Sequence, residues 1–176
     1  GIDFILITHE HPDHAHIDSV KALIKNNPQA NIITNTSVGS LLEKEGLTYQ
    51  KVEHGQTFDA RGVSIEGIGS THAVIHSSVP VIQNVGYRIA GKFFYPGDAF
   101  TVPGVPVEIL ALPVAGPWMK LAEAIDYALA VKPKVCFPVH DGILKLPGTT
   151  NVVPAKVLEP AGIVFVVMEI GVQRQM

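Results

Sequence analysis

The chain has 176 residues, 47% of them hydrophobic and 16% charged, with a formal net charge of −3. That is one domain's length, with enough apolar residues to build a core, so a disordered chain is excluded. Apolar runs too short to cross a bilayer argue against a membrane span, the acidic balance argues against a nucleic-acid surface, and one cysteine excludes a disulfide framework.

The predicted elements alternate between short apolar runs and helical patterns. Ile2 to Ile7 reads as a strand covered on both faces. Ile17, Val20, Leu23 and Ile24 give a helix one apolar face, ending near Asn26-Asn27-Pro28. Asn31 to Thr34 is a short strand. Thr36 or Ser37 can cap a second helix through Leu41 and Leu42, with Gly46 as its stop. Strand-like segments follow at Tyr49 to Val52, Val63 to Ile68 and Val85 to Ile89. Ala90-Gly91 is a hairpin turn leading into Phe93 to Tyr95. Val107 to Leu112 is a buried strand, Met119 to Val131 a helix stopped by Pro133, and Val135 to Val139 and Ile163 to Met168 are further strands. The Pro-rich stretches Val102 to Pro106 and Leu146 to Pro154 read as surface loops. The pattern indicates a single α/β layered domain over residues 1–176, with no internal repeat or linker.

The chemistry concentrates in Thr8-His9-Glu10-His11-Pro12-Asp13-His14, where three histidines and an aspartate fall within six residues. Imidazole and carboxylate together suit zinc, manganese or iron. Ligands in α/β sheets gather at the carboxyl ends of strands. Here four apolar strands each lead to such a residue: His9, His72, Asp98 and His140. Pattern alone therefore proposes a multi-ligand metal site. His72 is preferred to His76 because it comes first after its strand. His16 reads as part of a first helical turn, His54 as surface, and Cys136 as a small core residue. Trp118 can line a pocket, although a core or helix-cap role is the preferred reading. Thr8 and Asp141 are candidates for holding a ligand's second ring nitrogen.

His9-x-His11-x-Asp13-His14 after an apolar strand, followed by His72, Gly97-Asp98 and His140, resembles the metallo-β-lactamase superfamily. The segments Thr71 to His76, Asn84 to Tyr87, Pro96 to Ala99 and Leu112 to Trp118 look like its bacterial metal-dependent hydrolases, related to the ascorbate-6-phosphate lactonase group. The resemblance implies a four-layer αββα sandwich and a two-metal site, with zinc first and manganese or iron as alternatives. His9, His11 and His72 would hold one ion, Asp13, His14 and His140 the other, with Asp98 bridging. A hydroxide between the ions would attack an ester, lactone or phosphoester, with Asp13 and Asp98 as the catalytic carboxylates. It also implies strands before the first motif. They are absent here, so an N-terminally shortened sandwich with an open sheet edge is expected. The remaining expectations are a small-molecule substrate, no nucleic-acid or membrane partner, a homo-oligomer, and a cytoplasmic location. A non-enzymatic metal-binding or interaction module is the alternative.

Overall fold

The computed structural model describes residues 1–175. In chain order the strands are β1 (Phe4–Ile7), β2 (Asn31–Thr34), β3 (Gln50–Lys51), β4 (Thr57–Ala60), β5 (Val63–Ile68), β6 (Gly86–Ile89), β7 (Phe93–Tyr95), β8 (Ile109–Pro113), β9 (Val135–Val139) and β10 (Val164–Phe165). The helices are α1 (Ile17–Asn26), α2 (Thr36–Lys44), α3 (Leu121–Val131) and α4 (Val152–Leu158).

Side-chain alternation in β1 sets the layering. Ile5 and Ile7 pack with α1 and α2 residues such as Val20, Val38 and Leu42. Phe4 and Leu6 point the other way, into a cluster with Ile65, Val85 and Tyr87. Successive strand residues face opposite sides, so one short strand serves two cores. A third cluster packs Leu110, Leu112 and Cys136 against Ala124, Ala128 and Leu158 of α3 and α4. The order is therefore helices, sheet, sheet, helices, the αββα sandwich expected.

The first sheet is parallel, in the order β1-β2-β3. The second has seven strands in the order β10-β9-β8-β7-β6-β5-β4. It is antiparallel from β4 to β7 and parallel from β7 to β10. Two reversals, β5 to β6 and β6 to β7, leave β5, β7 and β9 running the same way. Their carboxyl ends share one edge of the sheet. The strands that lead to the candidate ligands are not neighbours: β6 and β8 lie between β5, β7 and β9, and β1 belongs to the other sheet.

β1 ends its sheet, so one side of its backbone has no partner strand among the described residues. Beside it, between the sheets, lies an apolar cavity of about 340 Å³ lined by Leu6, Tyr87, Phe93, Tyr95, Phe137 and Val139.

Several local expectations are corrected. Asn35 caps α2, accepting from the Val38 N–H at 3.1 Å, in place of Thr36 or Ser37. β4 was not expected: polar Thr57 and Asp59 mask an inward pair, Phe58 and Ala60. α4 begins within the stretch read as a loop, at Val152, and runs past its end. Its Pro154 sits in the first helical turn, where the missing N–H has no intrahelical partner to lose. Only Val164–Phe165 of the last predicted strand pairs. The Ala90-Gly91 turn is present, with both residues at positive φ (51° and 68°) and the Lys92 N–H returning to the Ile89 carbonyl.

Candidate metal centre

All seven sequence-predicted ligands converge. His9, His11 and His14 come from the loop after β1, where the His14 and Ala15 N–H groups both return to the His11 carbonyl. His72 follows β5, Asp98 follows β7, and His140 follows β9. One potential ligand atom from each of His9, His11, His72 and Asp98 lies within 4.8 Å of the others, and Asp13, His14 and His140 form a second such group.

Asp98 joins the two groups. Its carboxylate oxygens lie 3.9 Å from His9 Nε2, 3.5 Å from His72 Nε2, 3.4 Å from His14 Nε2 and 3.2 Å from His140 Nε2. Asp13 lies 3.7 Å from His14 Nε2 and 3.5 Å from His140 Nε2, and its side chain is 53% exposed. It stands at the mouth of a cavity of about 340 Å³, also lined by His14, Tyr95, His140, Gly142 and Ile143.

The second ring nitrogens are held from behind. His72 Nδ1 lies 2.6 Å from the Ala73 carbonyl, which can only accept. The proton of the neutral ring is therefore on Nδ1, and the Nε2 lone pair faces the cluster. Thr8 Oγ1 lies 3.0 Å from His9 Nδ1, so Thr8 fills its expected role. Asp141 does not: its carboxylate accepts from the Gly148 N–H and ties down the following loop. His140 itself has φ 68°, left-handed for a residue with a Cβ, an arrangement that costs about 1–3 kcal/mol and concentrates at functional sites.

The donor set fits a divalent metal. His9 Nε2, His72 Nε2 and Asp98 Oδ1 are buried with no hydrogen-bond partner. Leaving each so costs about 1–3 kcal/mol, which a cation would relieve at all three together. His14 Nε2 and His140 Nε2 are 3.1 Å apart, near the roughly 3.3 Å edge of a tetrahedron with zinc–nitrogen bonds of about 2.05 Å. Burial, then the neighbouring imidazoles, pull His9 down to about 3, so its ring stays neutral and able to ligate. Burial also lowers His11. Burial opposes ionisation of Asp98, but contacts with His14, His140 and His72 outweigh it and hold the carboxyl well below the usual range.

The Pro96-Gly97-Asp98 turn is pinned by Asn84, which is buried. Its Nδ2 donates to the Pro96 carbonyl at 2.8 Å, and its Oδ1 accepts from the Asp98 N–H at 3.1 Å. Gly97 has φ 67°, and a Cβ there would lie 2.2 Å from Asn84 Oδ1. Sequence reasoning missed Asn84, and also Tyr95, whose hydroxyl lies 3.5 Å from His14 Nδ1. Burial raises Tyr95 well above the ordinary phenol range, which keeps it protonated.

Trp118 is buried, as its core reading expects, but it is not a helix cap. It does not start α3, which begins at Leu121 behind the Lys120 cap, and its indole N–H donates to Asp98 Oδ2 at 2.8 Å. The other histidines stay outside the centre. His76 and His16 are exposed and bond to Ser78 and Ser19, and exposed His54 accepts from the Gly69 N–H. Cys136 is buried, and burial pushes its thiol up to about 12, so it is no nucleophile. No helix among the described residues is long and apolar enough to cross a membrane.

The family described as beta-lactamase superfamily domain matches residues 1–140. Protein Rv0786c of Mycobacterium tuberculosis is 37% identical over 149 residues, covering 82% of this chain and 69% of that protein. The UPF0173 metal-dependent hydrolase Ta0764 of Thermoplasma acidophilum is 25% identical over 148 residues, covering 78% of this chain and 65% of its own length. Among solved structures, Igni18, a metallo hydrolase of Ignicoccus hospitalis, superposes with a TM-score of 0.74 at 22% identity. It covers 95% of this chain and 76% of Igni18, a likeness of fold.

Proposed function

The chain belongs to the metallo-β-lactamase superfamily, and on that premise we propose that it is a metal-dependent hydrolase acting on an ester, lactone or phosphoester through two divalent ions, zinc first. The observation that carries this is the Asp98 carboxylate, within 3.2–3.9 Å of imidazole nitrogens from both ligand groups. In this reading His9, His11 and His72 hold one ion, Asp13, His14 and His140 the other, and Asp98 is shared. Bound ions would supply a water acidic enough to act as a nucleophile at neutral pH and would polarise the scissile group.

The protein's own groups do the rest. Thr8 and the Ala73 carbonyl orient the His9 and His72 rings. Asp13, solvent-facing beside His14 and His140, can align the attacking water and accept its proton. The neutral Tyr95 hydroxyl lines the same mouth and can donate to a substrate oxygen.

The test is elemental analysis of protein purified without chelators, followed by assays on lactones, phosphodiesters and thioesters. About two ions per chain, and hydrolysis lost in Asp98→Ala, are expected. Metal-free protein would overturn the reading. The lactonase resemblance puts lactones first. Metal-loaded protein inert on all three classes would favour the interaction-module alternative. The low charged fraction, 16%, supports self-association, and a monomer by light scattering at micromolar concentration would refute that.

A further inference from the structure

Trp118 is the chain's one tryptophan, and it is almost fully buried. Apolar packing accounts for its ring, which lies 5.0 Å from Phe100, but not for its N–H. That N–H donates to Asp98 Oδ2 at 2.8 Å, the shortest contact that carboxylate makes. The indole also meets the His72 ring in a T-shaped arrangement, with ring centroids 5.9 Å apart. The backbone is shaped for this placement: a Cβ at Gly116 would lie 2.7 Å from the indole nitrogen.

A carboxylate has two oxygens and about four lone-pair directions, and nothing intrinsic fixes its rotation. At Asp98 one direction on Oδ2 is taken by the indole N–H, while Oδ1 is buried and bare. With Oδ2 anchored, Oδ1 is held on the His14 side, 3.4 Å from its Nε2, and Oδ2 remains 3.5 Å from His72 Nε2. Oδ2 also lies 3.2 Å from His140 Nε2, so in this rotation it faces a histidine of each group while Oδ1 faces His14.

We propose that Trp118 is a positioning residue whose indole N–H fixes the rotation of the Asp98 carboxylate, so that one carboxylate serves both metal-binding groups. This rests on the metal-centre reading above. Without the N–H, the carboxylate can turn to serve one group alone, and the other loses a ligand. Partners that orient a metal ligand in this way typically contribute about 10–100-fold in metal affinity.

Because Trp118 is the one tryptophan, the N–H can be removed with the ring's shape kept. Expression in a tryptophan-auxotrophic host supplied with β-(3-benzothienyl)alanine replaces that nitrogen by sulfur at this position only. The readouts are zinc and cobalt binding isotherms, the visible absorption of the cobalt-loaded protein, and the thermal midpoint of the metal-free protein. Trp118→Phe provides a second, genetically encoded variant.

The expected result is two ions bound by the wild type, with the weaker affinity reduced about 10–100-fold in both variants. The cobalt spectrum should change as well, and the metal-free benzothienyl protein, which keeps the ring's shape, should melt above metal-free Trp118→Phe. Unchanged affinities and spectrum in the benzothienyl protein would overturn the proposal. So would a loss confined to Trp118→Phe together with a lowered metal-free midpoint, which would assign the indole to packing. Failure of the wild type to bind any metal would instead refute the metal-centre reading.

Discussion

Asn84→Ala isolates the turn that carries Asp98. The substitution removes two hydrogen bonds, leaving the Asp98 N–H and the Pro96 carbonyl without partners in a buried segment. Each unmet buried group costs about 1–3 kcal/mol, so the sum lies at about 2–6 kcal/mol. A water entering the vacated space recovers part of this, which puts the expected loss at about 2–4 kcal/mol for the metal-free protein. A domain of this size has about 5–15 kcal/mol in total, so the variant should still fold. With a urea slope of about 2 kcal/mol per M, the unfolding midpoint should fall by about 1–2 M at unchanged slope. Metal affinity should fall with it, because Asp98 loses its backbone anchor. A midpoint within about 0.3 M of the wild type, on a slope of about 2 kcal/mol per M, would refute the claim that Asn84 holds the turn.

Gly97→Ala combines a φ of 67° with a Cβ 2.2 Å from Asn84 Oδ1, so it should lower stability by at least the roughly 1–3 kcal/mol of a left-handed residue, read from the same urea titration. Gly116→Ala places a Cβ 2.7 Å from the indole nitrogen and should weaken metal binding measured by titration calorimetry while leaving the far-UV circular dichroism spectrum unchanged. His9 is depressed to about 3 in the folded chain, so between its ordinary value near 6.5 and pH 3 only the unfolded chain takes up that proton. His72 and His140 are shifted upward and contribute the opposite slope, so the His9 effect is read by difference: in midpoints measured from pH 7.5 to 5, metal-free wild type should lose stability relative to His9→Gln as pH falls.

The candidate ligands were legible in the sequence because each follows an apolar strand, and strand direction then carries it to one edge. What sequence could not convey was how far apart those strands lie in the sheet, because β6 and β8 intervene through long-range pairing. The residues that contact the candidate ligands from behind were harder to read. Thr8 sits beside His9 in the chain, so proximity revealed it. Asn84 and Trp118 reach Asp98 from 14 and 20 residues away, and neither belongs to a spacing rule. α4 stayed hidden because proline reads as a breaker unless its place in the helix is known.

The candidate ligands divide between the sheets: His9, His11, Asp13 and His14 follow β1 of the first, and His72, Asp98 and His140 follow strands of the second. An ion held among them would act as a rivet between two layers that otherwise meet through apolar side chains and a few hydrogen bonds, such as that from the Val85 N–H to the Thr8 carbonyl. A ligand at a thousand times its dissociation constant adds about 4 kcal/mol to the folded state, so occupancy and layer cohesion become one quantity. Truncating a residue sandwiched between the layers, such as Ile33 or Tyr87, should then register as weaker ion binding although neither is among the candidate ligands. Hydrogen exchange should slow in both sheets together when the rivet is in place.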